Sequence, residues 1–155
     1  MNEESISTLG PEAWPDPPLF KDLLDSPRPL NALLRDQHVI SGIGRTWADE
    51  ILNKARLSPF KRGDSLTDEE ASALRVATVS NLQAAVGHYR NVLSIPIPDK
   101  LPMPLAVHRM EGNPCPQCGE ELRPVYFESH TISYCPHCQT GGKILKDRRM
   151  SKLLK

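Results

Sequence analysis

The sequence has few aromatic residues, no net charge and no long apolar run, and each shortage excludes a class of protein. Aromatic residues make up 5% of the 155 residues and hydrophobic residues 39%, against roughly 45–50% (counting Gly) in a typical globular domain. One large core spanning the whole chain is therefore not expected. No stretch approaches the roughly 18 consecutive apolar residues of a membrane span, and the acidic start at residues 1–5 does not resemble a secretory signal peptide. We expect a soluble cytoplasmic protein of one domain or two small ones.

The zero net charge hides an asymmetry between the two ends of the chain. Residues 1–27 contain six acidic residues and one lysine, whereas residues 140–155 contain six basic residues and one aspartate. Such an imbalance indicates that the basic end binds a polyanion. A solvated helix face or a disordered tail would show the same pattern, so the charge alone leaves both interpretations open.

Four cysteines carry the strongest signal in the sequence. They form two C-x-x-C pairs, Cys115/Cys118 and Cys135/Cys138, separated by sixteen residues. This spacing is typical of a tetrahedral four-cysteine zinc site, in which each pair forms a tight turn and the intervening hairpin brings the turns together. Runs prone to β-structure at 122–127 and 131–134, with a turn at 128–130, predict that hairpin. Four protein ligands leave no open position, so the predicted cofactor is one structural zinc ion.

Two other interpretations of the cysteines are weaker. A redox-active C-x-x-C is expected within a βαβ pattern, which this sequence does not show around Cys135. Two structural disulfides are not expected in a protein without an export signal. His137 lies inside the second pair, and we expect it to face solvent rather than to bind the metal.

Upstream of the cysteines the sequence predicts helices followed by an extended connector. Short helices are predicted at 18–24 and 30–37, a longer one at 46–55, and one from Thr67 to about Tyr89 that begins with a capping box between Thr67 and Glu70. Residues 91–110 and their surroundings are too rich in proline for a helix. The predicted fold is mainly α, with an appended zinc-bound β-hairpin.

A Gly-x-Gly turn precedes the helix at 46–55. Gly42 and Gly44 permit positive φ and close backbone approach, and the N–H groups at the start of the next helix suit a phosphate. A lone Gly-x-Gly is a weak motif, and without further context an ordinary helix–helix turn is the favoured interpretation.

The segment Leu34–Leu52, which reads LRDQHVISGIGRTWADEIL, resembles the helix–two-turn–helix motif of the formamidopyrimidine-DNA glycosylase/endonuclease VIII family. Residues 57–59, the approach and ending of the cysteine hairpin (111–115 and 135–139) and the LGPE string at 9–12 extend the resemblance in the same order. It implies five segments: an acidic N-terminal segment with the family junction (1–15), a helix–two-turn–helix DNA-binding domain (16–90), a Pro-rich connector (91–110), a four-cysteine zinc finger (111–139) and a basic tail (140–155).

The same resemblance identifies three departures. In the family a β-sandwich catalytic domain precedes this region and begins with a nucleophilic proline and a glutamate, whereas this chain begins with Met1, Asn2 and Glu3 and shows no such domain before the match. An asparagine usually follows the Gly-x-Gly, where this chain has Arg45. The family's finger has an arginine at its tip, and His130 stands there as a weaker, pH-dependent donor.

These observations lead to a zinc-containing DNA-binding module, related to DNA repair and not catalytic alone, as the predicted function. The alternative is a base-excision-repair glycosylase/AP lyase activity, either residual or completed by a partner chain. A weaker third idea is a protein-interaction module built on apolar residues of the basic tail. The expected partners are duplex DNA, intact or damaged, and a repair protein, at the nucleoid of a bacterial cytoplasm. The predicted DNA contacts are Gly42, Gly44, Arg45, His130, Lys143, Lys146, Arg148 and Arg149.

Overall fold

Five α-helices and one antiparallel β-hairpin form the part of the chain that the structure, a computed structural model, describes: residues 9–92, 105–128 and 130–148. We call residues 9–92 the helical unit and residues 105–148 the finger. The elements in chain order are α1 (Phe20–Leu23), α2 (Leu30–Arg35), α3 (Gly44–Ala55), a 3-10 turn (Gly63–Ser65), α4 (Asp68–Val92), β1 (Arg123–Phe127), β2 (His130–Tyr134) and α5 (Pro136–Thr140). The predicted fold class, mainly α with an appended hairpin, is confirmed.

Each predicted helix forms, with its ends shifted by a few residues. The first begins at Phe20 rather than at residue 18, because Pro17 and Pro18 lie immediately upstream and Leu19 is extended. The second ends at Arg35, since Asp36 leaves the helix and its carboxylate accepts the His38 N–H at 2.9 Å. Helix α3 begins at Gly44, two residues before the predicted start.

The capping box predicted for α4 is present. The Thr67 hydroxyl accepts the Glu70 N–H at 3.1 Å, and the Glu70 carboxylate accepts the Thr67 N–H at 2.9 Å. Both bonds satisfy N–H groups that have no partner within the helix, which defines where α4 begins.

The helical unit is organised around one apolar cluster. Helix α3 packs between α2 and α4, and α1 packs on α4. Seventeen buried apolar residues form the cluster, which includes Leu33 and Leu34 of α2, Ile51 and Leu52 of α3 and Leu74 of α4. Within the described residues no helix is both long enough and apolar enough to cross a bilayer.

The finger has two much smaller cores. In the hairpin Phe127 pairs with His130, so β2 begins one residue before the predicted run. One cluster places Val125, Phe127, Ile132 and Tyr134 against Phe60 of the helical unit. The other consists of Val107, Cys115, Leu122 and Cys135.

The predicted connector 91–110 is described only at its two ends. Helix α4 extends through residue 92, and residues 93–104 lie outside the described residues. Beyond them Val107 is buried at 1% exposure in the cysteine cluster. The last part of the segment therefore packs as part of the finger.

Candidate metal centre and nucleic-acid interface

The four cysteine sulfurs converge on one point. All four Sγ atoms lie within 4.8 Å of one another, with 4.0 Å between Cys115 and Cys138 and 3.5 Å between Cys118 and Cys135. A zinc ion with Zn–S bonds of about 2.3 Å separates tetrahedral sulfurs by about 3.8 Å. The donor set and its spacing thus fit one tetrahedral metal ion.

Local backbone geometry positions these sulfurs. The Gln117 N–H donates to Cys115 Sγ at 3.3 Å, and the Cys138 N–H donates to Cys135 Sγ at 3.4 Å. Each C-x-x-C pair is therefore a turn in which backbone N–H groups point at a sulfur. Such donors favour the charged thiolate, which is the form that binds metals.

The protonation behaviour of the thiols favours a cation among them. Burial raises the pKa of the Cys135 and Cys138 thiols, and the neighbouring cysteines raise both further. Burial also opposes ionisation of Cys115, but hydrogen bonds from Asn53 and from the backbone of Gln117 and Cys118 outweigh it and lower the Cys115 pKa to about 7. Thiols crowded in this way release their protons when a metal ion supplies the compensating charge.

Two adjacent acidic residues of α3 attach the finger to the helical unit. The Glu50 carboxylate accepts the N–H groups of Ala106, Val107 and His108 at 2.9, 2.7 and 2.7 Å. Asp49, at 2% exposure, accepts the Ser133 N–H at 3.2 Å and lies 2.9 Å from the His108 ring. Burial is the main cause of the raised pKa of Asp49, and the bonds from His108 and Ser133 oppose it.

A pair of amides forms a second attachment. Asn53 Nδ2 of α3 lies 3.3 Å from Cys115 Sγ and 3.5 Å from Gln139 Oε1. Gln139 Oε1 also accepts the Cys135 N–H at 2.8 Å, and its Nε2 donates to the Leu57 carbonyl at 2.9 Å. Helix α3 therefore contacts both cysteine turns.

The sequence interpretation missed Asp49, Glu50 and Asn53. The one signal in the sequence is that these polar residues are interspersed with Ala48, Ile51 and Leu52, and the structure shows that all six are buried. Polar side chains at buried positions require partners.

The Gly-x-Gly turn lies at the start of α3, as predicted from its position. Gly42 has φ +100° and Gly44 φ +74°, and both are conformations that glycine adopts without strain. The Gly42 N–H donates to Gln37 Oε1 at 2.9 Å. Among the described residues no side chain caps the α3 N-terminus. The Arg45 side chain lies outside the described part of the structure.

Two of the predicted finger contacts, His130 and Arg148, lie against other parts of the protein. The His130 ring nitrogen is 3.2 Å from Asn31 Oδ1 of α2. Arg148 extends alongside β1, donating its N–H to the Tyr126 carbonyl at 2.7 Å, and its guanidinium lies 4.1 Å from the centre of the Phe60 ring. Lys143 and Lys146 are exposed, and Arg149 lies outside the described residues.

Comparison with known proteins identifies the family. Residues 9–95 match the formamidopyrimidine-DNA glycosylase H2TH domain. The chain belongs to the formamidopyrimidine-DNA glycosylase family. It is 41% identical over 126 residues to an uncharacterized formamidopyrimidine-DNA glycosylase-like protein of Mycobacterium tuberculosis, an alignment that covers 81% of this chain and 80% of that protein.

Solved structures of the family share the fold. The MutM (Fpg) protein of Thermus thermophilus superposes with a TM-score of 0.76 at 37% identity, over 92% of this chain and 57% of that one. A mutant of the Lactococcus lactis Fpg in complex with DNA that contains Fapy-dG gives 0.74 at 25% identity, over 88% of this chain and 54% of that one. The chain thus spans about half the length of these glycosylases.

Proposed function

We propose that this chain is a zinc-containing module that binds duplex DNA, intact or damaged, through its phosphate backbone and has no glycosylase or lyase activity alone. The observation that carries the proposal is the start of α3. Two glycines have positive φ there: Gly42 precedes the twelve-residue helix and Gly44 is its first residue, and no described side chain caps this helix. Helix N-termini of this kind bind phosphates through backbone N–H groups, and the second residue of the helix is the basic residue Arg45.

Zinc is the ion that the donor set favours. Four thiolates from two C-x-x-C turns, at distances that fit a tetrahedron, are typical of a closed structural zinc site. A zinc ion held in this way cross-links the finger and offers no position to a substrate. Cys115, Cys118, Cys135 and Cys138 would be its ligands.

The finger supplies the remaining proposed contacts. Lys143 and Lys146 are exposed, Arg148 follows them, and His130 lies at the hairpin turn. Exposed cations strengthen duplex binding without reading bases, because they interact with phosphates. A duplex-binding protein of this kind is expected at the bacterial nucleoid, where a repair enzyme would supply the chemistry.

One cavity of the helical unit adjoins the start of α3. It has a volume of about 610 Å³ and is lined mostly by apolar side chains, among them Trp14, Trp47 and Leu82. Glu12 is the one titratable residue in that lining. Gly42 belongs to the same lining, so this cavity lies beside the proposed phosphate site.

The decisive experiment measures binding and cleavage separately. The purified full chain is titrated with intact, abasic and oxidised-base duplexes of one sequence, and the same mixtures are analysed for strand cleavage and for borohydride-trapped adducts. We expect binding to all three duplexes and trapping of the abasic duplex at the level of a lysine-matched unrelated protein. Robust trapping that disappears when the N-terminal amine is blocked would instead establish a lyase.

Arg45 tests the location of the interface. Removal of one cation that neutralises a phosphate is expected to reduce the slope of log affinity against log salt by about 0.9, so Arg45→Ala should weaken binding to all duplexes equally and flatten the slope by that amount. Arg62→Ala is the matched control, because Asp64 already pairs with that guanidinium at 2.7 Å. If both variants bind like the wild-type chain, the start of α3 is not the interface.

A further inference from the structure

A buried amide of helix α3 faces the metal centre. Asn53 is 1% exposed, and its Nδ2 atom lies 3.3 Å from Cys115 Sγ and 3.5 Å from Gln139 Oε1. The two acceptors account for both N–H bonds of the Asn53 amide. Both also belong to the finger, although Asn53 belongs to the helical unit.

An asparagine at this position requires a partner that offsets its burial. Its neighbours Ile51 and Leu52 are at most 1% exposed, so an apolar side chain would fit this part of α3. Burial of an amide that lacks hydrogen bonds costs about 1–3 kcal/mol in proteins. A neutral thiol is a weak acceptor, whereas a thiolate is a charged one, and hydrogen bonds to charged groups are roughly twice as strong.

We propose that Asn53 is an outer hydrogen-bond donor to the metal-bound thiolate of Cys115, so that helix α3 completes the metal centre. This inference rests on the proposed zinc content of the finger. The amide orients the sulfur toward the ion and offsets part of its negative charge. Residues that act in this way behind metal ligands commonly change metal affinity by 10- to 100-fold.

Gln139 holds the donor in place and extends the contact to the second cysteine turn. Its Oε1 atom accepts the Cys135 N–H at 2.8 Å, and its Nε2 donates to the Leu57 carbonyl at 2.9 Å. Because Leu57 follows the end of α3, the Gln139 side chain is fixed from both units. The Gln139 oxygen beside Asn53 is an acceptor and needs a donor. The amide nitrogen of Asn53, and not its oxygen, therefore faces both Gln139 and Cys115.

Two substitutions in the full chain test the donor. Asn53→Leu keeps a similar volume and removes the amide, and Asn53→Asp keeps the shape but replaces the donor nitrogen with an oxygen. We expect zinc release to an excess of a colorimetric chelator to be about tenfold faster in Asn53→Leu, and faster still in Asn53→Asp, where a carboxylate faces the thiolate. Thr78→Val is the matched control, because Thr78 is fully buried and donates to the Leu74 carbonyl of its own helix.

A spectroscopic readout separates this role from simple packing. The chain is loaded with Co²⁺, and the thiolate-to-cobalt charge-transfer band is expected to shift in Asn53→Leu and to stay unchanged in Thr78→Val. Wild-type release rates and an unshifted band in Asn53→Leu would overturn the inference while leaving the zinc proposal intact. The inference would also be overturned if zinc release in Asn53→Leu were no faster than in Thr78→Val at the same loss of folding stability. A wild-type chain that binds no zinc would overturn both.

Discussion

The helical unit and the finger are held together by different interactions. The helical unit buries seventeen apolar residues in one cluster. The finger has a cluster of four, two of which are cysteines, and a cluster of five that includes Phe60 from the helical unit. Units this small bury too little apolar surface to be stable alone and depend on metals or on neighbours. We therefore expect the finger to depend on its contacts with the helical unit and on the proposed metal ion.

The dependence between the two units runs mainly in one direction. Asp49, Glu50 and Asn53 of α3 each bond to backbone or side-chain groups of the finger. If the finger unfolds, these polar groups become hydrated at little cost. If α3 unfolds, the finger loses three attachments together. The helical unit should therefore survive the loss of the finger, whereas the finger should not survive the loss of α3.

Removal of the metal is expected to have the largest effect. A strong chelator should extract one zinc ion per chain and unfold the finger, since zinc contributes on the order of 10 kcal/mol to the folding of zinc-finger peptides. Amide hydrogen exchange should become fast at Val125 and Ile132 and stay slow at Leu34 and Ile51. Cys118→Ser should reproduce this pattern. A Cys115–Cys118 disulfide and no metal in the reduced protein would contradict it.

Leu34→Ala tests whether the finger loses stability together with the helical unit. Leu34 is fully buried in the helical cluster, and deletion of such a side chain costs about 3 kcal/mol. Urea denaturation of the zinc-loaded protein should show both units shifting to lower denaturant concentration together. Leu19→Ala, at a residue that is 71% exposed, should change stability by less than about 0.5 kcal/mol. A finger that keeps its original midpoint in Leu34→Ala would show that it folds independently.

Glu50→Gln should separate the two units without unfolding the helical unit. One carboxylate oxygen accepts two backbone N–H groups and the other accepts one, and a glutamine amide would turn a donor toward some of them. We expect a loss of about 2 kcal/mol, with faster exchange at Val107 and unchanged exchange at Leu74. Glu69→Gln, at an exposed position of α4, is the matched control. Equal losses in both variants would mean that removal of the charge, and not the attachment, causes the effect.

Local patterns in the sequence were enough to predict most elements and the convergence of the four cysteines. The two C-x-x-C pairs place two sulfurs each within four residues, and their separation matches a hairpin. The capping box of Thr67 and Glu70 acts across three residues. Patterns of this kind involve only residues that lie close together in the chain, and the structure forms the predicted elements with small shifts of their ends.

The attachments between the units could not be predicted in the same way. Glu50 meets Val107 across 57 residues and Asn53 meets Cys115 across 62, and helical periodicity does not identify such distant partners. The tail shows the same limit. Its basic composition left open a polyanion-binding end or a solvated tail, and it did not reveal that Arg148 lies alongside β1 with its guanidinium over the Phe60 ring. Side-chain stacking on a distant aromatic residue is not visible in charge composition.

The smallest expected effect on stability is at the start of α4, within the helical unit, where Glu70 takes part in the capping box. The N–H of Thr67, bonded to the Glu70 carboxylate, lowers the pKa of Glu70 from its ordinary value of 4.5, and Lys61 contributes as well. Because that pKa is depressed in the folded state, the ionised carboxylate stabilises the protein above pH 4.5, and this stabilisation is lost as the pH falls through the folded-state pKa.

Glu70→Gln keeps the shape of the capping box and removes the charge, so the loss at neutral pH should be below about 1 kcal/mol. The unfolding free energies of the wild-type chain and the variant, measured by urea denaturation at a series of pH values, should converge in acid. Glu69→Gln, one residue earlier and exposed, should show a smaller gap, because it lacks the bond to Thr67. A Glu70→Gln gap that stays open in strong acid would mean that the amide fails to cap the helix, so that geometry rather than charge sets the contribution of Glu70.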